Sequence, residues 1–170
     1  MATDNITKYV GQGGAIYSNT SDDYDENGEV PDIYITKTTF TKNSAAQAGG
    51  AIRNENAGAT IYITDSDFTS NTAKTLVTTV TTTILINGES SKTKKTTTKE
   101  YIGYGGAVST TGNVEINTGE KYQILVDKTN FKSNAAAYGG AIYAEGTVNG
   151  IYANFTSNSA TEEGGAEDSV

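Results

Sequence analysis

Short runs of alternating apolar and polar residues recur along this chain and predict β-strands. The clearest two are the IYIT sequences at residues 33–36 and 61–64, in which every second side chain is isoleucine. A period of two is typical of a strand that buries one of its faces. We find no long window with the period of an amphipathic helix, so the pattern predicts an all-β fold.

A second pattern shows that these strands belong to a repeat. An FxxNxA motif occurs four times, and a Gly-Gly-Ala motif occurs five times and alternates with it. Successive phenylalanines at positions 40 and 68 are 28 residues apart, and those at 131 and 155 are 24 apart. This period suits one turn, or rung, of a parallel β-solenoid with two or three short strands per rung. The motif residues that we interpret as structural are Phe40, Asn43, Gly49, Gly50, Phe68, Asn71, Gly105, Gly106, Phe131, Asn134, Gly139, Gly140, Phe155 and Asn158.

The repeat predicts a right-handed parallel β-helix of about five rungs, which would stand about 24 Å tall at a strand spacing of about 4.8 Å. The phenylalanines would form a column inside it, and the asparagine amides would form hydrogen bonds along the stack. Asparagine also tolerates the left-handed backbone of a tight corner. The glycine pairs would supply positive φ angles and close backbone approach at another corner. Residues 1–170 would then form a single domain.

The alternating tetrapeptides resemble those of the chlamydial polymorphic membrane proteins and related right-handed β-helix repeat proteins. The pieces that carry the resemblance are residues 13–16, 40–43, 49–52, 68–71, 105–108, 131–134, 139–142 and 155–158. The resemblance implies a surface-exposed autotransporter passenger that acts as an adhesin. The chain departs from a whole family member because it shows no signal peptide, membrane barrel or cysteine, so it resembles a passenger fragment or a short free-standing relative.

The spacing of the motifs is broken once, over residues 74–103. A Gly-Gly pair elsewhere follows the motif asparagine by five or six residues, but Gly105 follows Asn71 by 34. Residues 76–86 are rich in threonine, valine and isoleucine, Asn87-Gly88 comes next, and residues 90–102 carry four lysines. Asn-Gly between two such runs is typical of a β-hairpin, so we predict a hairpin insertion that projects from the solenoid. Its lysines either protect a strand edge or belong to an arm that docks on another subunit or a ligand.

An acidic segment offers one candidate metal site. Asp23, Asp25 and Asn27, followed by a glycine, match the first half of a calcium-binding loop, in which alternate oxygen ligands converge on one cation. The acid expected six positions after the glycine is missing, and Glu29 or Asp32 would have to take its place. The other interpretation is a solvated turn, because Asp, Asn and Gly are ordinary turn residues. Calcium is therefore the one cofactor that the sequence indicates.

Composition excludes several kinds of chemistry. The net charge of −8 argues against nucleic-acid binding, which needs a basic surface. The chain has no histidine and no cysteine, so the usual general base, transition-metal ligands and disulfides are missing. No apolar run approaches the length of a transmembrane helix, so no membrane span is predicted, and residues 1–4 do not resemble the start of a signal peptide.

Some polar and aromatic residues remain as candidates for a surface function. Tyr17 and Tyr143 share one repeat position, and Tyr34 and Tyr62 share another, so outward tyrosine columns would form either an adhesive face or ordinary cross-rung stacks. Arg53, the only arginine, is expected to form a surface ion pair with Glu55. The acids near the phenylalanine strands are expected to face solvent rather than to form a catalytic pair; they are Asp65, Asp67 and Asp127.

The favoured function is therefore non-enzymatic: an extracellular or cell-surface module that binds a protein or glycan ligand. The alternative is a subunit of an extracellular fibre, in which copies of the chain stack head to tail. A second alternative is a polysaccharide-acting lyase or hydrolase, because right-handed β-helices include such enzymes. That enzyme would need convergent acids, often with calcium.

Overall fold

The computed structural model describes residues 11–19, 30–87, 90–118, 128–150, 152–165 and 167–169, and this part of the chain contains β-strands and no helix. The acidic segment at residues 20–29 and Asp127 lie outside the described residues. The described strands confirm the prediction of an all-β solenoid.

Most strands lie in four parallel sheets, and each successive rung adds one strand to each sheet. Sheet 1 consists of β1 (Ile16–Ser18), β5 (Ile52–Asn54), β11 (Val108–Thr110), β15 (Ile142–Ala144) and β19 (Glu167–Ser169). Sheet 2 consists of β2 (Ile33–Thr36), β6 (Thr60–Thr64), β12 (Asn113–Ile116) and β16 (Val148–Gly150). Sheet 3 consists of β3 (Thr39–Thr41), β7 (Asp67–Thr69), β13 (Thr129–Lys132) and β17 (Ala153–Thr156). Sheet 4 consists of β4 (Ser44–Ala45), β8 (Thr72–Ala73), β14 (Ala135–Tyr138) and β18 (Ser159–Glu163).

The chain therefore passes through sheets 1 to 4 in order, and the described strands make four full rungs before β19 begins a fifth. Each rung has four short strands rather than the two or three that the period predicted. The difference comes from sheet 4, where β4 and β8 have two residues each. Strands of that length are too short to show alternation in the sequence.

The core is a set of columns, because residues at one repeat position stack directly on one another. The motif phenylalanines pair in register on sheet 3, with ring centroids 4.9, 4.8 and 4.9 Å apart from Phe40 through Phe68 and Phe131 to Phe155. Phe68 and Phe131 are fully buried. The isoleucines of the two IYIT strands pair in the same way on sheet 2. Each rung thus contributes one side chain of the same type to an interior column.

The motif asparagines form a hydrogen-bonded ladder at the corner between sheets 3 and 4. The Oδ1 atom of Asn71 accepts hydrogen bonds from the backbone N–H and the Nδ2 of Asn43, at 3.0 and 2.9 Å. The Nδ2 of Asn71 donates to the Oδ1 of Asn134 and to the carbonyl of Phe40, both at 3.0 Å. Asn134 and Asn158 repeat the arrangement one rung further on. Each of the two inner amides, Asn71 and Asn134, therefore links three neighbouring levels of the stack.

The left-handed backbone at this corner belongs to the residue before each asparagine, not to the asparagine itself as the sequence suggested. The φ angles of Lys42, Ser70, Ser133 and Ser157 lie between 55° and 57°. The asparagine side chain forms the hydrogen bonds of the ladder, and the residue before it adopts the positive φ angle that turns the chain. Because its side chain points away from the core at this corner, lysine and serine both serve, and the turn has no fixed residue type.

The two glycines of each Gly-Gly pair have different roles at the corner that leads into sheet 1. The first adopts a positive φ, as at Gly49 and Gly105 with 59° and 62°. The second lies against the backbone of the next rung: a Cβ on Gly50 would stand 1.9 Å from the carbonyl oxygen of Gly106. Positive φ favours the first glycine and close packing requires the second.

The insertion is a β-hairpin, as predicted. Strands β9 (Thr75–Asn87) and β10 (Ser90–Ile102) pair antiparallel over their whole length. The lysine ammonium of Lys74 lies 4.2 Å from the ring centroid of Tyr101, and the hydroxyl of Thr75 donates to the Ala46 carbonyl at 2.8 Å. These contacts hold the base of the hairpin against the solenoid, while most of its described side chains further out are exposed.

Replacing the second glycine of a pair is expected to destabilise the fold. Gly50→Ala would force a Cβ into the backbone of the next rung, so we expect a loss of roughly 4 kcal/mol or more in the free energy of unfolding. Chemical denaturation measures this loss. Gly165→Ala is the matched control, because no atom of the described residues lies within 4 Å of a Cβ at that position. Equal stability of the two variants would contradict the stacking geometry.

Replacing a ladder asparagine is expected to be costly as well. Asn71→Ala removes the acceptor of the Asn43 N–H and the donor to the Phe40 carbonyl, so buried polar groups lose their partners and about 3 kcal/mol of stability is lost. The control is Asn149→Ala, which removes an exposed asparagine that donates to Glu115 at 2.8 Å and should change stability by less than about 0.5 kcal/mol. If denaturation midpoints show no difference between the two, the ladder is not a major source of stability.

Candidate functional site

The motif residues lie in the interior or at the corners, where they hold the rungs together. The Phe and Asn columns and the glycine pairs therefore build the scaffold, and a site for a ligand has to be sought on the outward positions. Alternating residues of each strand point outward, so every sheet presents columns of side chains spaced by one rung.

The candidate calcium ligands Asp23, Asp25 and Asn27 lie outside the described residues. Asp32, which we considered as a substitute ligand, uses its Oδ1 to accept the Thr60 backbone N–H at 2.7 Å. It therefore has a structural contact between the first two rungs. Among the described residues there is no cluster of three or more acidic side chains that would hold a metal ion. Calcium binding by the acidic segment stays a prediction.

The two described acids near the phenylalanine strands do not come together. Asp65 occupies a corner with a φ of 47°, and its half-buried carboxyl has one oxygen without a hydrogen-bond partner among the described residues. Asp67 is exposed on sheet 3, and its Oδ1 accepts from the Asn130 amide at 2.8 Å. Their strand positions and contacts differ, so these residues offer no pair of carboxylates in one cleft.

The outward face of sheet 1 carries the richest mixture of side chains. Parallel register aligns Tyr17, Arg53, Ser109 and Tyr143 in one column across four rungs. A second column runs beside it, through the residues that precede the first four Gly-Gly pairs: Gln12, Ala48, Tyr104 and Tyr138. These two columns define what we call the sheet 1 face. Tyr17 and Tyr143 share a column but are separated by Arg53 and Ser109, so they do not stack on each other.

Arg53 is held at the centre of the sheet 1 face. Its Nη1 donates to the Ser109 hydroxyl at 2.7 Å, and its Nε lies 3.5 Å from the Glu55 Oε1. The Arg53 side chain is only 14% exposed and the Glu55 side chain 23%, so this is a partly buried ion pair rather than the surface ion pair expected from the sequence. The contact between Nε and Glu55 does not have the geometry of a hydrogen bond, so Nε has no hydrogen-bond partner among the described residues.

Glu55 is fixed from its other side. Its Oε2 accepts the Tyr17 hydroxyl at 2.7 Å and the Asn19 amide at 3.2 Å. The hydrogen bond to the Glu55 carboxylate raises the pKa of Tyr17 above its ordinary value of 10.0, because ionising the phenol would place two negative charges together. Tyr17 therefore stays a neutral donor throughout the physiological pH range.

Three tyrosines cluster on the next rungs. The rings of Tyr104 and Tyr138 stack with centroids 5.3 Å apart, and the ring of Tyr143 is tilted by 54° against Tyr104 at 4.8 Å. Tyr104 remains 40% exposed. The cluster supplies a partly exposed aromatic wall beside the Arg53–Glu55 pair.

A groove of about 310 Å³ lies between the pair and the base of the hairpin. Its lining includes Gln12, Arg53, Glu55 and Tyr104, and residues 102–103 close it at the point where β10 returns to the solenoid. The Oε1 of Gln12 and the Nε of Arg53 are both buried without a hydrogen-bond partner among the described residues. The groove thus combines a charged pair, unsatisfied polar atoms and an aromatic ring.

Other outward groups are more ordinary. Tyr34 and Tyr62 stack on sheet 2 with centroids 4.9 Å apart, which matches the cross-rung stacking that was one of the two interpretations. The hairpin carries exposed Lys94, Lys95 and Lys99. Its two strands together form a basic arm on an acidic protein.

Sequence reasoning singled out Arg53 and Glu55 but missed Gln12 and Tyr104. A signal was present, since the residue before each Gly-Gly pair occupies one repeat position and is tyrosine in two of the copies, Tyr104 and Tyr138. A second missed signal is the hydroxyl residue two positions before the first three motif phenylalanines: Thr38, Ser66 and Thr129. Ser66 and Thr129 form buried hydrogen bonds at the corner between sheets 2 and 3.

Two segments of the chain match a known repeat. Residues 37–55 and 128–145 each match the family model of the Chlamydia polymorphic membrane protein repeat, which confirms the resemblance seen in the sequence. Both segments run from the sheet 3 strand through the sheet 4 strand to the end of the following sheet 1 strand. The repeat family indicates surface-associated passengers of the autotransporter, adhesin type. No curated protein and no solved structure matches the chain. None of the described residues forms a helix long and apolar enough to cross a membrane.

The contact between Tyr17 and Glu55 can be tested by titration. In Glu55→Gln the carboxylate charge is gone, so the raised pKa of Tyr17 should fall towards its ordinary value. NMR titration of labelled tyrosine rings, with assignment of Tyr17 by mutation, measures the shift. The Tyr34 pKa should not move, because its raised value has other causes, burial first and then Asp32. An unchanged Tyr17 titration would show that the two side chains are not in contact.

Proposed function

We propose that this chain is a non-enzymatic module on the outside of the cell, and that it binds a partner through the sheet 1 face and the hairpin. The observation that carries the proposal is the pair of matches to a repeat of surface-associated passengers. The structure of the repeat supports the proposal, because the motif residues lie in the interior or at the corners and the outward columns remain available for recognition.

The chemistry of the two elements also favours binding. The tyrosines of the sheet 1 face offer apolar area with a polar tip, which is common in recognition surfaces. The hairpin is a two-stranded ribbon whose described outer part is exposed on both faces. Such a ribbon is marginal on its own in water and is expected to gain stability when it packs against a partner.

Removal of the hairpin tests the proposal. The full chain, coated on fluorescent beads, should adhere to cultured cells or to extracellular matrix. A variant in which residues 76–101 are replaced by a short Gly-Ser link should lose most of this adhesion, by about tenfold in the number of bound beads, which corresponds to roughly 1.4 kcal/mol.

Two controls make the result interpretable. Far-UV circular dichroism shows whether the shortened chain keeps its solenoid. Tyr34→Ala alters an exposed tyrosine on sheet 2 and should leave adhesion unchanged. Equal adhesion of the full and shortened chains would remove the hairpin from the mechanism, and no adhesion of either chain would reject the proposal.

The fibre subunit is a second candidate, and one observation favours it. In the last described rung the ring of Phe155 is only partly buried and stacks on Phe131, and the Nδ2 of Asn158 donates to the Phe131 carbonyl. Another rung placed on this side would continue both columns. Light scattering across a concentration series distinguishes the two candidates, because particles that grow into thin fibres support stacking and a constant monomer rejects it.

A further inference from the structure

The polar lining of the groove at the base of the hairpin is balanced in charge. The Arg53 guanidinium faces the Glu55 carboxylate at 3.5 Å, and these are the charged side chains among the described residues that line the groove. The partly exposed Glu55 carboxylate would repel an anionic ligand, and the Arg53 guanidinium would repel a cationic ligand. The pair therefore favours a ligand without net charge that offers both donors and acceptors.

Two buried polar atoms in the lining of the groove are available to form hydrogen bonds with such a ligand. The Gln12 Oε1 is an acceptor and the Arg53 Nε is a donor, and neither atom has a hydrogen-bond partner among the described residues, although Nε lies 3.5 Å from the Glu55 Oε1. A buried polar atom without a partner costs about 1–3 kcal/mol, so such atoms are rare unless something else satisfies them. A hydroxyl group donates one hydrogen bond and accepts others, so a ligand with several hydroxyls can satisfy an acceptor and a donor at once.

Tyr104 gives the groove an apolar side. Its ring lines the groove, is partly exposed, and is held in place by Tyr138 and Tyr143. A rigid ring of this kind provides contact area for the C–H face of a sugar at little cost in side-chain entropy. The volume of about 310 Å³ lies at the lower end of the range for small-ligand pockets, about 300–1,000 Å³.

We propose that this groove binds an uncharged pyranose unit of a surface glycan. Sugar hydroxyls would pair with Gln12, Arg53 and Glu55, and the C–H face of the ring would rest on Tyr104. The assignment rests on the proposed function, since it names the ligand class of the sheet 1 face. A protein partner is the competing occupant, and it would have to place a single polar side chain in so small a groove.

Glycan binding is measured first with the purified full chain on an array that contains neutral, sialylated and sulfated glycans, and then by saturation-transfer NMR with the free neutral sugar that binds best. We expect binding to neutral glycans. Tyr104→Ala should weaken it about tenfold and Gln12→Ala about fivefold, in line with the loss of an aromatic contact or one hydrogen bond. Tyr34→Ala, outside the groove, should bind like the unchanged chain.

A milder variant guards against loss of folding. Tyr104→Phe keeps the ring and should retain most of the affinity, while circular dichroism verifies the fold of each variant. Binding of only the acidic glycans, or neutral binding that Tyr104→Ala and Gln12→Ala leave unchanged, would overturn the assignment.

Adhesion of the full chain to cells with and without their surface glycans separates this inference from the proposed function. If beads coated with the full chain adhere to cells, and enzymatic removal of cell-surface glycans abolishes the adhesion, the glycan assignment is supported. If adhesion survives removal of the glycans, the partner is a protein, so the assignment is wrong while the adhesive function stands. If the chain binds neither cells nor glycans, both proposals are wrong.

Discussion

The asparagine ladder sets the geometry on which the rest of this solenoid depends. Each of the two inner amides, Asn71 and Asn134, accepts from the asparagine of one neighbouring rung and donates to that of the other, with donor–acceptor distances of 2.9–3.0 Å. Such distances allow no slip between rungs, because a shift of one residue would bring the wrong side chain to the corner and leave several buried groups unpaired. The phenylalanine column, with centroids 4.8–4.9 Å apart, then follows from the same register. The ladder therefore determines the register of the rungs in addition to stabilising them.

A fixed register also explains how the chain accommodates insertions of very different length. The ladder asparagines are 28, 63 and 24 residues apart along the chain, yet they form the same contacts. Among the described residues, the largest excursion from the solenoid is the hairpin, which lies between sheet 4 and sheet 1. A longer loop costs little additional closure entropy, since that cost grows only with the logarithm of loop length. The scaffold can therefore carry diverse surface elements without a change in its core.

Because the core positions are constrained and the surface positions are not, only some features of the structure can be predicted from the sequence. Phe68, Asn71 and the glycine pairs recur because each interior position accepts few residue types, so the solenoid and the hairpin are visible in the sequence. The left-handed corner between sheets 3 and 4 accepts residues as different as Lys42 and Ser70, because the side chain there is not constrained by the core, and it has no fixed residue type. The two-residue strands of sheet 4 are likewise too short for a pattern. The groove escapes prediction for a third reason: its lining comes from Gln12, Arg53 and Tyr104 on three different rungs, and only the register brings them together.

The position of Arg53 is difficult to explain by stability alone. A partly buried ion pair gives up hydration that its mutual attraction only partly replaces, and a well-packed apolar pair is often as stable or more so. The neighbouring outward positions of the same column carry uncharged residues, Tyr17 and Ser109, so the register itself does not require a charge there. Arg53 nevertheless keeps one hydrogen bond to Ser109, while its Nε lies 3.5 Å from the Glu55 carboxylate and has no hydrogen-bond partner among the described residues. Incomplete pairing of this kind is costly in a scaffold and useful in a binding site, where the missing contact is made by the ligand. The incompletely hydrogen-bonded pair is therefore consistent with the recognition surface that we propose.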